Sequence, residues 1–390
     1  MTILTEIHTH FPNTLDPVES ASTIGPALRS RAAEAESIRT LPSDLVDRAQ
    51  CLGLTSLLLP RSFGGLETDP FSAMSALEIL SHADGSAGWT LMISNASFFS
   101  AWLDPCVARE LLPPVPFSGA SQFGPLGRGL PTDGGFRLTG QWPFCSASPH
   151  AELFFNGMLV ADGPAPRLRA DGRPDWRFAA FTRHEAEVLD TWDALGLRGS
   201  GSHDVRTTDT FVPEEHVFLP FDTSAQHDGP LWRFSFWGLL TIMMNSIPIG
   251  IARHALDELA EIAPTKRRAA SPDPIGASAD VQINAARAET QLSAARALVH
   301  DAVGEAWDTA CNGDAPSDAQ QSRMQLAMLN AIETGVRVVD LAFSTVGASA
   351  VYTHSALGRC FRDIHTAAQH LAFSTEGFRN YGRQRYLEKS

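Results

Sequence analysis

The chain has 390 residues, of which 44% are hydrophobic and 19% charged, an ordinary composition for a globular protein. Its 44 acidic and 30 basic side chains give a formal net charge of −14, which argues against a nucleic-acid phosphate backbone as a partner. A chain of this length is expected to form two or three domains.

The five cysteines are scattered without CxxC spacing, so we expect free thiols in a reducing compartment and no metal site. The N-terminus has no basic segment followed by an apolar one, and we see no signal peptide in it. The apolar residues 236–252 are interrupted by Asn245, Ser246 and Pro248 and are fewer than the roughly 20 that a membrane-spanning helix needs. We therefore expect a cytoplasmic protein without a membrane span.

Residues 1–114 are predicted to be an N-terminal α-helical domain. Apolar side chains recur at helical spacing in residues 27–38 and 41–53. Residues 69–103 have the pattern of two helices that meet at Asp84.

Residues 115–222 follow a different pattern and predict a small antiparallel β domain. Short apolar or alternating runs, such as FRLTGQWPF and VRTTDTFVP, are separated by glycine- and proline-rich turns. Alternation along WPFCSAS places Trp142, Phe144 and Ser146 on one face of a strand. From the residues alone, this face is either hydrophobic core or the wall of a ligand site.

Residues 223–390 return to helical patterns and predict a helical bundle domain. Residues 280–310 and 320–347 are two segments longer than most helices of globular proteins. Residues 263–280 are rich in proline, glycine and serine and are predicted to be a loop, which contains Lys266.

Two histidines lie five positions apart in the segment RDIHTAAQH of residues 362–370. On a helix, five residues rotate by about 500°, so the rings of His365 and His370 would point about 140° apart. A metal-binding pair prefers the i,i+4 spacing. We therefore expect no metal site here and interpret His365 as structural or exposed.

Three segments carry a resemblance to a known family: WDALGLRGSGSHDVRTTDTFVPEEHVF, GGFRLTGQWPFCSASPHAELFFNG and VGASAVYTHSALGRCFRDIHTAAQH. With them, the chain resembles the acyl-CoA dehydrogenase superfamily over about residues 20 to 385. Within that superfamily it is most similar to the two-component flavin-dependent monooxygenases. Their oxygenase components use reduced flavin made by a separate flavin reductase.

The resemblance implies an α+β fold with an N-terminal helical domain, a middle β-barrel and a C-terminal four-helix bundle, assembled as a homotetramer. Flavin would lie between the β-barrel and the bundles of two subunits. The resemblance places Phe144 on the flavin ring, Ser146 near its N5 atom and Trp192 near the flavin or substrate. It places Ser202 near the flavin phosphate and Lys266 where a residue crosses the subunit interface to that phosphate. From the residues alone, the loop of Ser202 is equally a β-turn and Lys266 equally part of a solvated basic turn.

A dehydrogenase of this superfamily needs a glutamate base to remove a proton from its thioester substrate. By correspondence, this glutamate would stand at one of two positions, which hold Leu371 and Leu240 here. Leucine cannot accept a proton, so the usual dehydrogenase mechanism lacks its base. Ser344 replaces a glutamine that holds the adenine part of FAD in the dehydrogenases, which favours FMN over FAD.

His370 directly precedes one of these two positions. In the monooxygenase branch, a histidine at this place faces the flavin C4a edge and the substrate, so the resemblance implies that His370 is the catalytic acid or base. We expect a monooxygenase that takes FMNH2 or FADH2 from a reductase and uses O2, through a flavin C4a-(hydro)peroxide, to oxygenate a small organic, for example aromatic, substrate. One alternative is a flavin dehydrogenase or oxidase acting on an acyl-CoA or another activated C–H, with an unrecognised base. Another is a catalytically inactive relative that serves as a subunit or binding module.

Overall fold

The computed structural model describes residues 15–269 and 271–387. The N-terminal segment in which we see no signal peptide lies outside these residues. The described chain begins with six α-helices: α1 (Pro17–Ser30), α2 (Ala32–Ile38), α3 (Ser43–Cys51), α4 (Pro70–Ala83), α5 (Gly85–Ser94) and α6 (Pro105–Leu111).

The predicted interruption at Asp84 is confirmed. Asp84 ends α4, and its carboxylate accepts a hydrogen bond of 2.9 Å from the Ala87 N–H in the first turn of α5. The first N–H groups of a helix have no partner within the helix, so an aspartate at this position stabilises a new helix start. The turn directs α5 and its Trp89 into the interior of the molecule.

The middle of the chain forms one seven-stranded sheet with the strand order β5-β6-β2-β1-β3-β4-β7. Its strands are β1 (Gly119–Thr132), β2 (Gly135–Trp142), β3 (Leu153–Val160), β4 (Trp176–Thr182), β5 (Glu187–Leu189), β6 (Asp204–Pro213) and β7 (Val217–Phe218). This sheet stands where the resemblance implies a β-barrel.

The prediction of a purely antiparallel β domain was wrong, because β1 and β3 pair in parallel. β2 returns antiparallel along one side of β1, and the chain then crosses to the other side of β1, where β3 runs in the β1 direction. The alternation of apolar and polar side chains is the same in both kinds of pairing, so the local sequence does not reveal the crossover.

The prediction that Trp142, Phe144 and Ser146 share one strand face was also wrong. β2 ends at Trp142, whose side chain is fully buried in the core of the sheet and donates to the Gly157 carbonyl. Phe144 follows in a left-handed backbone conformation with φ of 61°, and its side chain is 68% exposed. Strand alternation therefore stops before Phe144.

The C-terminal part contains six further α-helices: α7 (Phe236–Met244), α8 (Ser246–Ile262), α9 (Ala279–Cys311), α10 (Asp318–Val346), α11 (Ala356–Ala367) and α12 (Glu376–Tyr386). The two predicted long helices are α9 and α10. Because α10 packs against α8, α9 and α11, these four helices form the predicted bundle.

Residues 236–262, which form α7 and α8, are long and apolar enough to cross a membrane by length and composition alone. In the most apolar window of this segment, 94% is buried inside the protein. Packing within the chain therefore accounts for its apolar composition. The hydrophobic core in which this segment lies also contains side chains of the N-terminal helices, one face of the sheet and the rest of the bundle. The three predicted domains therefore share a continuous core.

Candidate active site

A cavity of about 420 Å³ lies where α5, the sheet, α7 and the segment after α11 meet. Its volume is in the range typical of small-molecule sites, and most of its lining is aromatic or aliphatic. The lining includes five of the six predicted site residues: Phe144, Ser146, Trp192, Ser202 and His370. The chain thus brings together side chains that are up to 226 positions apart in the sequence.

A chain of hydrogen bonds forms one polar edge of the cavity. The Trp89 indole N–H donates to Ser146 Oγ over 3.0 Å. Ser146 Oγ lies 2.7 Å from Ser202 Oγ, which lies 2.6 Å from Ser200 Oγ. All four residues are buried, so these hydroxyl groups rely on one another for partners.

This arrangement bears on the predicted roles of the two serines. Ser146 and Ser202 were assigned to different parts of a flavin, the N5 atom and the phosphate, yet their hydroxyl groups are hydrogen-bonded neighbours. Ser146 is hydrogen-bonded to Trp89, which also packs against His370, and this agrees with a role near the reacting ring. The assignment of Ser202 to the phosphate stays a prediction.

His370 does not lie on a helix, which corrects the geometry assumed from the sequence. Helix α11 ends at Ala367, and His370 precedes a short 3-10 turn, where its Nδ1 accepts a hydrogen bond of 3.3 Å from the Ala372 N–H. His365 remains on α11, and its Nε2 lies 2.8 Å from Asp340 Oδ1. The two histidines therefore have separate surroundings.

The surroundings of His370 keep its imidazole neutral. The ring of Trp89 packs edge-on against it at a centroid distance of 5.4 Å, and burial lowers the pKa of His370 to about 4. Because Nδ1 accepts from the backbone, the single proton of the neutral ring is on Nε2. At neutral pH, His370 can thus donate a hydrogen bond from Nε2, and it lines the cavity.

Phe144 and Trp192 form an aromatic corner of the cavity. Their ring centroids are 6.4 Å apart and the planes are nearly perpendicular at 89°. A left-handed backbone is unfavourable for a bulky residue, and exposure of 68% gives the Phe144 ring little packing in return. Strain of this kind often marks a functional position, and this position can supply one apolar face to a flat ring.

The loop that carries Ser200 and Ser202 is held at Leu197. The Leu197 N–H donates to Asp363 Oδ1 over 2.6 Å, and the Leu197 carbonyl accepts from the Trp192 indole N–H over 3.0 Å. Leu197 itself has a φ of 49°. The backbone N–H and carbonyl of Leu197 are therefore both held by side chains, and one of these, Asp363, comes from α11.

The two positions at which a dehydrogenase would keep its base lie on one wall of the cavity. Leu240 on α7 is 8% exposed and Leu371 is 71% exposed, and both line the cavity. The same two leucines also line a neighbouring cavity of about 490 Å³, together with Trp237, Met244 and Ala372. The structure thus places aliphatic side chains, rather than a carboxylate, beside the candidate reaction site.

Lys266 is the predicted residue that does not line the cavity of its own chain. It lies in the loop between α8 and α9, and its Nζ donates over 2.5 Å to Oγ of Ser349, which follows α10. The prediction that it reaches the phosphate of a flavin in another subunit therefore stays a prediction.

Trp89 is a site residue that the sequence did not predict. The side chain is 5% exposed and touches both Ser146 and His370. The available signal was its position in α5, directly after the cap at Asp84, but its partners lie 57 and 281 positions further along the chain.

The lining fits the ring system of a flavin better than its phosphate. Aromatic side chains and hydroxyl groups suit an isoalloxazine, which needs apolar faces and a few fixed polar partners. Within the described residues, no lysine or arginine lines this cavity. A cation for the phosphate would thus have to come from outside this lining.

Comparison with protein families agrees with these observations. A model of the acyl-CoA dehydrogenase N-terminal domain matches residues 24–113, and one of the acyl-CoA dehydrogenase C-terminal domain matches residues 242–375. Indole-3-acetate monooxygenase of Pseudomonas putida is 30% identical over 91% of this chain and 89% of its own length. The flavin-dependent monooxygenase oxygenase subunit HsaA of Mycobacterium tuberculosis is 29% identical over 90% of this chain and 90% of its own length.

Solved structures give the same result. XiaF from Streptomyces sp., in complex with FADH2 and glycerol, has a TM-score of 0.86 and 27% identity, covering 96% of this chain and 95% of its own. The 3-HSA hydroxylase from Rhodococcus sp. RHA1 shares the fold, with a TM-score of 0.87 and 23% identity over 97% of this chain and 99% of its own. The chain belongs to the acyl-CoA dehydrogenase superfamily and, within it, to the flavin-dependent monooxygenases.

Proposed function

We propose that the chain is the oxygenase component of a two-component system that inserts one oxygen atom of O2 into a neutral aromatic compound. The observation that carries this proposal is the cavity wall itself. It combines a neutral histidine, a serine held by Trp89 and two leucines at the positions where a base would be needed for dehydrogenation.

Reduced flavin, when bound, supplies the electrons that activate O2. The residues of the chain hold the reactants and exclude water. Phe144 and Trp192 supply apolar contact, and Ser146 offers a hydroxyl group whose oxygen already accepts from Trp89. His370 holds a proton on Nε2 and donates a hydrogen bond from this atom. Of the two roles that the resemblance implies, acid or base, this is the acid role.

The charge of the lining favours a neutral substrate. Neither this cavity nor the neighbouring one has a lysine or arginine among its described lining residues, whereas the neighbouring cavity includes Asp318 and Glu376. A carboxylate moved from water into this site would lose hydration without gaining an ionic partner. Relatives include enzymes named for indole-3-acetate and for p-hydroxyphenylacetate. The proposed substrate belongs to the same aromatic class but, because of this lining, lacks their acid group.

An isotope experiment tests the reaction type. The protein is supplied with FMN, an NADH-dependent flavin reductase and ¹⁸O2, with indole and phenol as neutral probes. We expect a product that contains one ¹⁸O atom. Anaerobic reduction of bound oxidised flavin by an acyl-CoA, without oxygen incorporation in the first experiment, would instead show a dehydrogenase.

We further propose that the protein is a cytoplasmic homotetramer, which receives reduced flavin from a reductase and uses Lys266 of one subunit to bind the flavin phosphate of another. The support is that no lysine or arginine lines the cavity among the described residues of one chain, and that Lys266 is partly exposed. The assembly is tested by analytical ultracentrifugation, where a monomer would contradict it.

A pair of flavins tests the role of Lys266. Lys266→Ala is expected to weaken binding of reduced FMN about tenfold and to leave binding of reduced riboflavin, which has no phosphate, unchanged. Arg267→Ala is the matched control, because Arg267 donates to the Pro272 carbonyl within the same loop. Equal losses for both flavins would contradict phosphate binding by Lys266.

A further inference from the structure

A cluster of buried charged groups lies behind the active-site wall, between the N-terminal helices and α11. It contains the carboxyl groups of Asp84 and Asp363, each 2% exposed, and the guanidinium group of Arg359, 8% exposed. Arg359 Nε lies 3.3 Å from Asp84 Oδ2. Glu36 completes the cluster, hydrogen-bonded to Arg362 and 3.8 Å from Arg359 Nη1.

Each aspartate of this cluster fixes one wall of the active site through one oxygen. Asp84 caps α5, which carries Trp89, by accepting from the Ala87 N–H. Asp363 accepts from the Leu197 N–H, at the start of the loop with Ser200 and Ser202.

The second oxygen of each aspartate has no hydrogen-bond partner. Neither Asp84 Oδ2 nor Asp363 Oδ2 accepts a hydrogen bond, although Arg359 Nε lies 3.3 Å from Asp84 Oδ2. Asp363 Oδ2 lies against Gly85, the residue next to Asp84, where an added Cβ atom would be 2.8 Å from it. Two ionised carboxylates in one buried cluster would repel each other, and Asp363 Oδ2 would have no donor.

The charges of the cluster indicate how this conflict is resolved. Arg359 and Arg362 carry two positive charges, whereas Glu36, Asp84 and Asp363 carry three negative charges if all are ionised. One proton held by the two aspartates makes these five groups neutral together, which lowers the cost of burying them.

We propose that Asp84 and Asp363 share one proton, and that this proton-linked pair is the positioning element that holds α5 and the Leu197 loop together at the flavin cavity. Asp363 is a positioning residue in this proposal, because it touches the loop and not the reactants. The consequence for flavin binding rests on the proposed function, whereas the shared proton does not.

The ionisation tendencies of the pair agree with this geometry. Burial, with a smaller contribution from the negative charge of Asp84, raises the pKa of Asp363 to about 8, and burial raises the pKa of Asp84. The other titratable or charged groups that face the pair are Glu36 on α2, His254 and Glu258 on α8, and Arg359, Cys360 and Arg362 on α11. Burial raises the pKa of Cys360 well above its usual value, so that its thiol stays neutral.

Asparagine substitutions test the shared proton in the apoprotein. In Asp363→Asn, or in Asp84→Asn, an amide N–H takes the place of the proton and the charge stays the same, so each variant should keep close to wild-type resistance to urea. In the double variant, the cluster gains a net positive charge and loses its proton-linked pair. We expect its loss of stability to exceed the sum of the two single losses clearly; additive losses would overturn the proposal.

The pH dependence gives a second test. The wild-type pair holds a proton that the unfolded chain releases above its ordinary carboxyl pKa, so stability contributed by this proton is lost as pH rises towards about 8. Asp363→Asn cannot release this proton and should lack that part of the decline between pH 5 and 8. Asp133→Asn is the control, at an exposed aspartate in the turn between β1 and β2, and should keep the wild-type decline.

Anaerobic titration with reduced FMN connects the pair to the active site. We expect the wild-type Kd to rise about tenfold between pH 7 and 9.5 as the pair ionises, and the Kd of Asp363→Asn to change much less. The same alkaline rise in Asp363→Asn and wild type would overturn the role in positioning. If no variant binds flavin but the urea results hold, the shared proton is supported and the proposed function alone fails.

Discussion

The indole N–H of Trp89 lies 3.0 Å from Ser146 Oγ, while the same ring packs against His370 at a centroid distance of 5.4 Å. One buried side chain of α5 therefore sets the positions of two polar groups that come from the sheet and from the end of α11. This relationship makes Trp89 a positioning residue, although it lies outside the three segments that carry the family resemblance.

Trp89→Phe separates the two contacts of this side chain. Phenylalanine retains an aromatic ring against His370 but cannot donate to Ser146. We expect the product formed per NADH consumed to fall about threefold to tenfold, in line with one hydrogen bond worth about 0.5–1.5 kcal/mol. Trp102→Phe is the control, because Trp102 is equally buried but its indole N–H donates to the Thr223 carbonyl. Equal losses in both variants would point to general effects of removing an indole.

The proton on His370 Nε2 predicts different outcomes for two substitutions. Glutamine has an amide N–H that can replace the Nε2 donor, whereas leucine has none. We expect His370→Gln to retain part of the activity and His370→Leu to lose about 100-fold, with similar flavin affinity in both. If glutamine is as inactive as leucine, His370 acts by accepting a proton, and the donor role is wrong.

His370 also predicts a loss of stability at acidic pH. Its folded-state pKa of about 4 is below the ordinary value of 6.5, so the unfolded chain takes up a proton first as the pH falls. The stability contributed by the neutral ring is therefore complete above pH 6.5 and is lost as the pH falls towards 4. Urea unfolding of the apoprotein should show a steeper decline in this range for wild type than for His370→Gln.

The left-handed backbone at Phe144 predicts a substitution that weakens flavin binding without lowering the stability of the fold. Phe144→Gly removes an exposed ring and relieves a left-handed conformation that costs about 1–2 kcal/mol for a non-glycine residue. We expect unchanged or higher stability together with about tenfold weaker binding of reduced FMN. Ala147→Gly, also at a φ of 61°, relieves similar strain without removing a ring and should leave binding unchanged.

The two leucines at the vacant base positions should respond differently to a carboxylate. Leu240→Glu places a charge at a site that is 8% exposed and is expected to reduce stability by about 3 kcal/mol. Leu371→Glu places it at a site that is 71% exposed and should cost less than about 1 kcal/mol. Urea unfolding of both variants measures the difference, and similar losses would show that position 371 is covered in the assembled protein.

The sequence by itself determined the kinds of elements, their order and the chemistry that is missing. Helical spacing and the cap at Asp84 predict α4 and α5, and the apolar periodicity predicts α9 and α10, because these signals arise within a few turns of one helix. With the two base positions that the family resemblance implies, Leu240 and Leu371 exclude the usual dehydrogenase base without any structure, since leucine has no group that binds a proton.

Only the tertiary structure decided which of these elements meet. The parallel pairing of β1 and β3, the end of α11 before His370, and the contact of Trp89 with Ser146 depend on packing between distant parts of the chain. The proposed pairing of Asp84 with Asp363 has the same origin, because they lie 279 positions apart and each follows an ordinary local pattern. Local periodicity reports which face of an element is apolar, but the partner on that face is chosen by the whole fold.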